Sequence, residues 1–458
     1  MTNQLRQHVH FVGIGGAGMS ALAALLLSRG HRVTGSDIKA SPVIERLKAK
    51  GATCYLGHAP GHIGAAELVV ISSAIKADNS EVVAARERGI PVMRRGELLA
   101  EVMRGYRGIA VAGAHGKTTT TAMVAAILIA GGLDPTVLVG GEWPFLSSNC
   151  RFGKGRLFVT EADESDASFL LLSPEVAVVT NVENDHLDFY GTTDALARAF
   201  HEFVERVEPG GAAVLCLDDP WLRQLADKNG LPVVTYGRNG EADYVVGDFE
   251  LQGPTSAATL YYRGEPLGRL VLPVPGAYNL LNAASAVAVG RHFGVPFTVA
   301  KQALEAFRNV KRRFELLGEV NGIRVVDDYA HHPTEVAATI SAARQLNPAR
   351  IVAVFQPHRY TRTAILFEEF GRSFAGADVV VVDEIYSAGE APLPGVSAEL
   401  IREAIRRHDG HEVLSLPGEG AAAFLKKLVK PGDLVLTLGA GDIYRVGLEL
   451  LDLLGERQ

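Results

Sequence analysis

Gly108-Ile109-Ala110-Val111-Ala112-Gly113-Ala114-His115-Gly116-Lys117-Thr118-Thr119 runs from a short apolar segment into a glycine-flanked turn, and the Ala- and Ile-rich stretch Thr120–Ala130 follows it. A strand before the turn and a helix after it put the turn where phosphate sites are built. There backbone N–H groups cradle nucleotide phosphates, a lysine at 117 reaches the β- and γ-oxygens, and the Thr118 hydroxyl ligates Mg²⁺. A standard P-loop carries glycine at position 111, and this chain has Val111, so the motif is a shortened Gly-x-x-Gly-Lys-Thr. In its strand–loop–helix setting, the run of Gly113, Ala114, His115, Gly116, Lys117, Thr118 and Thr119 predicts a triphosphate site rather than an accidental turn.

A second glycine turn lies upstream. Gly13-Ile14-Gly15-Gly16-Ala17-Gly18 follows the apolar run His8–Ile14 and opens Gly18–Arg29, where Met19, Leu22, Leu25 and Leu26 recur at helical spacing. Glycines there permit a tight turn and let backbone donors approach a diphosphate. Asp37 ends the next strand, 19 residues beyond Gly18, where a carboxylate can accept from a ribose hydroxyl. NAD and a UDP-sugar fit this pattern equally, because both present a diphosphate and a ribose.

Downstream of the lysine loop, Glu161-Ala162-Asp163-Glu164-Ser165-Asp166 leaves the C-terminal end of the predicted strand Leu157–Thr160. Most acidic runs are solvated loops. At that end of a parallel strand, a hard oxygen donor instead completes an Mg²⁺ shell with Thr118 and phosphate oxygens. The strand Val176–Thr180 runs into Asn181-Val182-Glu183-Asn184-Asp185-His186, a second polar turn at the same edge. His186 reads either as a second metal ligand or as a surface histidine.

Further apolar runs are Leu68–Ile71 (followed by Ser72-Ser73), Ala213–Leu217, Ile323–Val326, Ile351–Phe355, Val379–Val382 and Leu434–Leu438, alternating with amphipathic stretches. That alternation predicts α/β architecture with helix-covered parallel sheets. Three domains in series are expected: an N-terminal Rossmann-like domain (1–107), a central P-loop ATPase domain (108–312) and a C-terminal Rossmann-like domain (313–458). Between about 241 and 275 the texture changes to two-residue alternation with turns such as Arg263-Gly264-Glu265, which predicts a small antiparallel patch before a helix over Asn279–Phe293.

Composition excludes several classes. With 45 basic and 52 acidic side chains the net charge is −7, so no global attraction to nucleic acid or an anionic membrane is expected. Cys54, Cys150 and Cys216 are scattered without disulfide or zinc spacing, which suggests a reducing compartment. Met1–His10 is polar and has no basic-then-apolar leader pattern, and no stretch approaches the roughly 18 apolar residues of a membrane helix. A soluble, cytoplasmic protein is expected.

The last third carries two more polar turns after predicted strands: Asp327-Asp328-Tyr329-Ala330-His331-His332-Pro333 and Gln356-Pro357-His358-Arg359-Tyr360-Thr361-Arg362. Arg359 and Arg362, three apart, are expected on one helical face, suited to a carboxylate or phosphate. His331 and His332 are adjacent and therefore diverge, which argues against a shared metal. Taken alone, Lys311-Arg312-Arg313 reads as a solvated hinge. Val379–Val382 followed by Asp383-Glu384 imitates the acidic strand of a motor ATPase, but it lies in a different predicted domain from the P-loop.

Taken together, these stretches resemble the Mur ligase family, over nearly the whole chain and in the family's order. The matching set is Gly-Ile-Gly-Gly-Ala-Gly-Met-Ser (13–20), the Gly-x-x-Gly-Lys-Thr loop, Glu-Ala-Asp-Glu-Ser-Asp (161–166), Asp-His-Leu-Asp (185–188), Asn279 with Asn282, Arg-Arg-Phe (312–314), Asp-Asp-Tyr-Ala-His-His-Pro (327–333) and Gln-Pro-His-Arg-Tyr (356–360). The glycine motif and the His-Arg-Tyr segment look like the alanine-adding member. The resemblance implies an ATP-dependent ligase of peptidoglycan synthesis that joins L-alanine to UDP-N-acetylmuramic acid. It implies that Lys117 and Thr118 bind the triphosphate and its Mg²⁺, with Glu161 and His186 as further metal ligands. Asn279 and Asn282 would lie near the adenine, Arg313 near the nucleotide, and Asp328 would orient the nucleotide or its metal. Gly15, Gly16, Ala17, Gly18, Met19 and Ser20, with Asp37 and Ser72, would hold the UDP part. His331, His358, Arg359 and Arg362 would lie where amino acid and reacting carboxylate meet. The chain departs from the family pattern at Ala114, usually threonine, and at Tyr278, usually histidine.

The implied chemistry is attack of the sugar-acid carboxylate on the γ-phosphoryl, then attack of the amine on the acyl phosphate. No residue stands out as the base for the amine. A related ligase that attaches a recycled murein tripeptide to the same UDP-sugar is the nearest alternative. A P-loop switch or motor ATPase would leave the last third idle, and an NAD-dependent dehydrogenase would account only for the first hundred residues.

Overall fold

The computed structural model describes residues 6–227, 232–409 and 412–455, so the first five residues of the polar entry lie outside it. Two compact units are formed. The first takes the chain up to Val182 with Phe189–Thr235 and Ala286–Pro296; the second takes Glu183–Asp188, Tyr236–Ser285 and the chain from Phe297 onward.

In the first unit, β1 (His8–Val12), β2 (Arg32–Asp37), β3 (Thr53–Leu56), β4 (Leu68–Ile71) and β5 (Val92–Arg94) form a parallel sheet in the order β3-β2-β1-β4-β5. β1 is buried at every position, as a strand covered on both faces must be. The order reverses between β1 and β4, and a ligand crevice opens at such a point, outside the strand ends. The glycine turn leaves β1 there and Ser72 leaves β4. A Cβ on Gly13 would lie 3.4 Å from the Ser72 hydroxyl.

β6 (Arg107–Ala112), β7 (Thr136–Trp143), β8 (Ser148–Arg151), β9 (Leu157–Glu161), β10 (Val176–Val179) and β11 (Ala212–Cys216) follow in the same unit, in the order β11-β10-β6-β9-β7-β8. All neighbours are parallel except β7 and β8. Helix Lys117–Ala130 leaves β6, one turn longer than the sequence predicts, because Gly116 at φ +81° ends the loop and lets Lys117 start the helix. Asp219 caps the helix Pro220–Ala226, accepting from Trp221 N and Leu222 N, and also takes Val182 N at 2.8 Å. Asp219→Ala leaves these donors without their acceptor. It should lower the urea midpoint by the equivalent of about 2 kcal/mol, with the slope of the unfolding curve unchanged.

In the second unit, β12 (Val233–Gly237) contributes its end, pairing Tyr236 with Tyr244. β13 (Tyr244–Gln252), β14 (Thr255–Tyr262) and β15 (Glu265–Leu272) are an antiparallel meander, where the two-residue alternation predicted one. β16 (Glu315–Val320), β17 (Ile323–Asp328), β18 (Arg350–Phe355), β19 (Val379–Val382), β20 (Val413–Ser415) and β21 (Asp433–Leu438) form a second sheet, ordered β16-β17-β21-β18-β19-β20, with only β16 antiparallel. Successive side chains of β18 feed two cores. Ile351, Ala353 and Phe355 pack with Ile340, Phe370 and Phe374, whereas Val352 and Val354 pack with Leu425 and Leu450. Among the described residues no helix is long and apolar enough to cross a membrane.

Arg312 is not the solvated residue its basic neighbours suggest. Its guanidinium donates to Asp327 and to the carbonyls of Gly439 and Gly441, and it lies between the rings of Tyr329 and Tyr444.

Candidate active site

The lysine loop is strapped down by the end of β10. Ala114 N donates to Asn181 O, His115 N to Asn181 Oδ1 at 2.8 Å, and Asn181 Nδ2 and the Thr180 hydroxyl donate to His115 O. Ala114 thus contributes through its backbone, and a side-chain hydroxyl there is not needed for the strap. Gly113 has φ +129°, and a Cβ on it would fall 2.1 Å from the Thr180 hydroxyl, so no other residue fits.

Lys117 donates to Gly113 O at 2.6 Å, to Ala114 O at 3.2 Å and to Glu164 Oε1 at 2.7 Å. Three acceptors around Nζ call for three N–H donors, which the ammonium form supplies. Burial works against that charge, but Glu164 more than restores it and its pKa is raised. Glu164 is nearly sealed from solvent, and burial lifts its carboxyl to about 7 against the pull of Lys117. The sequence singled out the acidic run but not this pairing.

Glu161 ends β9 in register with Val111 of β6, and Thr118 lies in the first turn of the helix that follows β6. Gly140 N donates to Glu161 Oε1, and a Cβ on Gly140 would lie 2.6 Å from the other carboxylate oxygen. Glycine therefore makes the cradle in which Glu161 sits. A hydroxyl and a carboxylate are hard oxygen donors, the ligand type that Mg²⁺ takes.

At the glycine turn, Gly13 N and Ile14 N both donate to Ser36 O, and Gly15 N donates to Asp37 Oδ2 at 2.9 Å. Asp37 thus braces the turn as well as standing at the strand end. Gly16 caps the helix Ala17–Ser28 without any side chain, leaving the first turn open to an anion, and Met19 and Ser20 are buried beneath it.

In the second unit a cleft is lined by Asp185, His186, Arg359, Thr361 and Arg362 with neighbouring apolar side chains. Arg362 Nη2 donates to Asp185 Oδ1 at 2.8 Å, and both side chains are under a tenth exposed. Burial pushes the Asp185 carboxyl up, but Arg362 and His186 hold it well below 3.8. Arg359 does not share a helical face with Arg362. It is the residue before the helix Tyr360–Arg372, at φ +72°, a region that costs a non-glycine residue energy and is found mostly at functional sites. His186 is also at positive φ, +58°.

Two neutral histidines adjoin the cleft. His331 Nδ1 lies 2.9 Å from Tyr329 O, which only accepts, so the proton is on Nδ1 and Nε2 carries the lone pair. Burial lowers its pKa to about 4. His358 Nδ1 accepts from Arg362 Nη1 at 3.2 Å, and burial, then His331 and Arg362, lower its pKa to about 3. His331 and His332 diverge as adjacency predicts, His332 lying toward Glu183. Asp383 accepts from Gln356, a structural contact consistent with discounting the motor-type strand.

A third group gathers Asn279, Asn282, Arg313 and Asp328. Asp328 accepts from Phe314 N and Ala330 N, both at 2.7 Å, and burial raises its carboxyl to about 7 with Arg313 opposing. Desolvation, then the neighbouring Asp328 carboxylate, raises the Tyr278 hydroxyl pKa, with Arg313 opposing. Asn279 donates to Pro275 O and is almost fully buried, so it also holds the helix start in place.

Family models match three successive stretches: the catalytic domain of the Mur ligase family at 8–107, the Mur ligase middle domain at 111–290, and the Mur ligase glutamate ligase domain at 312–441. A UDP-N-acetylmuramate–L-alanine ligase of Pelotomaculum thermopropionicum is 52% identical over 455 residues, which cover 99% of each chain. Among solved structures, the UDP-N-acetylmuramate–alanine ligase of Thermotoga maritima superposes with a TM-score of 0.83 at 30% identity, covering 97% of this chain and 98% of that one. A murein peptide ligase of Psychrobacter arcticus gives 0.74 at 26% identity, covering 99% of both.

Proposed function

Because the chain belongs to the Mur ligase family, an α/β fold of three domains and ATP-dependent amide-bond formation, we propose that it joins L-alanine to the lactyl carboxylate of UDP-N-acetylmuramic acid. The observation that carries this is similarity to a ligase of that name at 52% identity from end to end. The division into 1–107 for the UDP-sugar, 108–312 for ATP and 313–458 for the amino acid is part of the same reading. So is a place in the cytoplasm, where ATP and UDP-sugars meet.

The residues take these roles. Lys117 and the backbone donors of Gly113 through Thr119 bind the β- and γ-phosphates and stabilise the charge that builds as the carboxylate attacks phosphorus. Thr118 and Glu161 would hold Mg²⁺, and His186 is assigned the same role by family resemblance; the ion supplies further neutralisation of phosphate oxygens. Gly15 through Ser20, Asp37 and Ser72 bind the UDP part. Asn279, Asn282, Arg313 and Asp328 attend the nucleotide. Arg359 and Arg362 offer the carboxylate of the incoming amino acid or the acyl phosphate a cationic wall, and His331 and His358 stay neutral beside it. Neutral imidazoles there leave the attacking amine facing no extra positive charge from its own side of the cleft.

Phosphate release from ATP and Mg²⁺ is the test, run with UDP-N-acetylmuramic acid and with alanine, other amino acids or the murein tripeptide in turn. Release that needs both the sugar and L-alanine, with the ligated product seen by mass, is the expected result. Dependence on the tripeptide would transfer the chain to the recycling ligases, and release without sugar would sink the ligase reading.

A further inference from the structure

One cation next to the glycine turn has no part in the roles above. Arg95 begins the helix Arg95–Met103, directly after β5. Its side chain lies across the first turn of the helix that the glycine motif opens. A Cβ on Gly18 would meet Arg95 Cδ at 3.0 Å and Nη1 at 3.2 Å. A side chain at 18 would therefore crowd the guanidinium, which would have to shift to make room.

The other side of Arg95 meets the acidic run. Nη2 donates to Asp163 Oδ2 at 2.7 Å, while Ser165 N donates to Asp163 Oδ1. The start of the Arg95 helix is seated closely against the turn just after that run, because a Cβ on Gly96 would lie 2.4 Å from Ser168 Cβ. Asp163 precedes Glu164, the partner of Lys117. One short turn thus holds two cations by adjacent carboxylates, one from the triphosphate loop and one lying beside the glycine turn. The Arg95 side chain keeps 18% of its surface exposed and Asp163 keeps 40%, so this pair is open to solvent and to a ligand, unlike a sealed structural bridge.

We infer that Arg95 is a substrate-binding residue: its guanidinium takes an anionic oxygen of the UDP-sugar at the Gly15–Ser20 turn, in competition with Asp163. The inference rests on the proposed function for the identity of the ligand. Two sources on that ligand offer the same chemistry, the diphosphate and the lactyl carboxylate.

The test is isothermal titration of the full chain with UDP, UDP-N-acetylglucosamine and UDP-N-acetylmuramic acid, without ATP. Wild type, Arg95→Ala, Arg95→Lys and Asp163→Asn are compared, with thermal melts to verify folding. Arg95→Ala should weaken binding about ten- to hundredfold, the worth of a charge-assisted hydrogen bond, and Arg95→Lys should restore part of it. An equal loss for all three ligands assigns the diphosphate, and a loss confined to the muramic acid assigns the carboxylate. Asp163→Asn removes the competing anion and should tighten binding severalfold, the reverse of what a purely structural bridge predicts. If wild type binds the UDP-sugar and Arg95→Ala binds it equally well, or if Asp163→Asn weakens it, the inference is overturned while the proposed function stands. Should wild type bind no UDP-sugar, the proposed function falls and the inference with it. If Arg95→Ala does not fold, the Arg95→Lys and Asp163→Asn titrations decide.

Discussion

Lys117→Ala should lower phosphate release by at least about a thousandfold, while titration with UDP-N-acetylmuramic acid gives an unchanged affinity. The lysine is the one charged donor inside the Gly113–Thr119 loop, and the transferring phosphoryl gathers negative charge with little covalent help from protein groups. The variant should fold, for a reason visible at its partner. Glu164 already has its carboxyl raised to about 7, so without Lys117 it takes a proton and becomes an ordinary buried acid. A melt at pH 7 near that of wild type, together with lost turnover, is the expected pair of results. Parallel loss of UDP-sugar binding would show that the two ligands have been assigned to the wrong loops.

Breaking the Asp185–Arg362 pair should cost the second unit about 3–5 kcal/mol, because removing either side chain leaves the other a nearly sealed charge without its main counter-ion. Asp185→Asn and Arg362→Ala should each show this as a fall in the urea midpoint, and each should also lose turnover, since the pair lines the cleft. A double variant should lose less stability than the sum of the two, as for any pair in contact. The pH dependence has a definite sign. The folded-state pKa of Asp185 lies below the unfolded value of 3.8, so its contribution is complete above about pH 4 and disappears as the pH falls through the folded value. Urea unfolding should therefore separate wild type from Asp185→Asn widely at pH 7, with the gap beginning to shrink only below about pH 4 and closing as the pH falls through the folded value.

The central parallel strands were legible because they are buried and read as unbroken apolar runs, Leu68–Ile71 and Val379–Val382 matching to the residue, whereas the short, part-exposed β3, β5 and β20 were not read. The two phosphate-type turns were legible because glycine spacing is a local signal. β7 was not read from the sequence, since Gly140-Gly141 interrupts it, and the reason for Gly140 is a carboxylate that arrives from Glu161 on another strand. The pairings that shape the site were equally hidden. Arg95 meets Asp163 across 68 residues, Lys117 meets Glu164 across 47, and Arg362 meets Asp185 across 177. No periodicity records such contacts, and the acidic run showed only that carboxylates were present. Arg359 was misplaced on a helical face because spacing does not reveal that the residue sits at positive φ, outside the helix.

Arg312 sets where an autonomous C-terminal fragment can begin. Cutting the chain between 312 and 313 leaves Asp327, fully buried, with Thr437 but without its guanidinium, and takes the donors from the carbonyls of Gly439 and Gly441. The rivet between the first strand pair of that sheet and the loop after its central strand would then be missing, even though every strand is present. A fragment meant to stand alone has to carry the residue just ahead of the proposed boundary, and one that starts at Arg313 inherits a stranded carboxylate in its core.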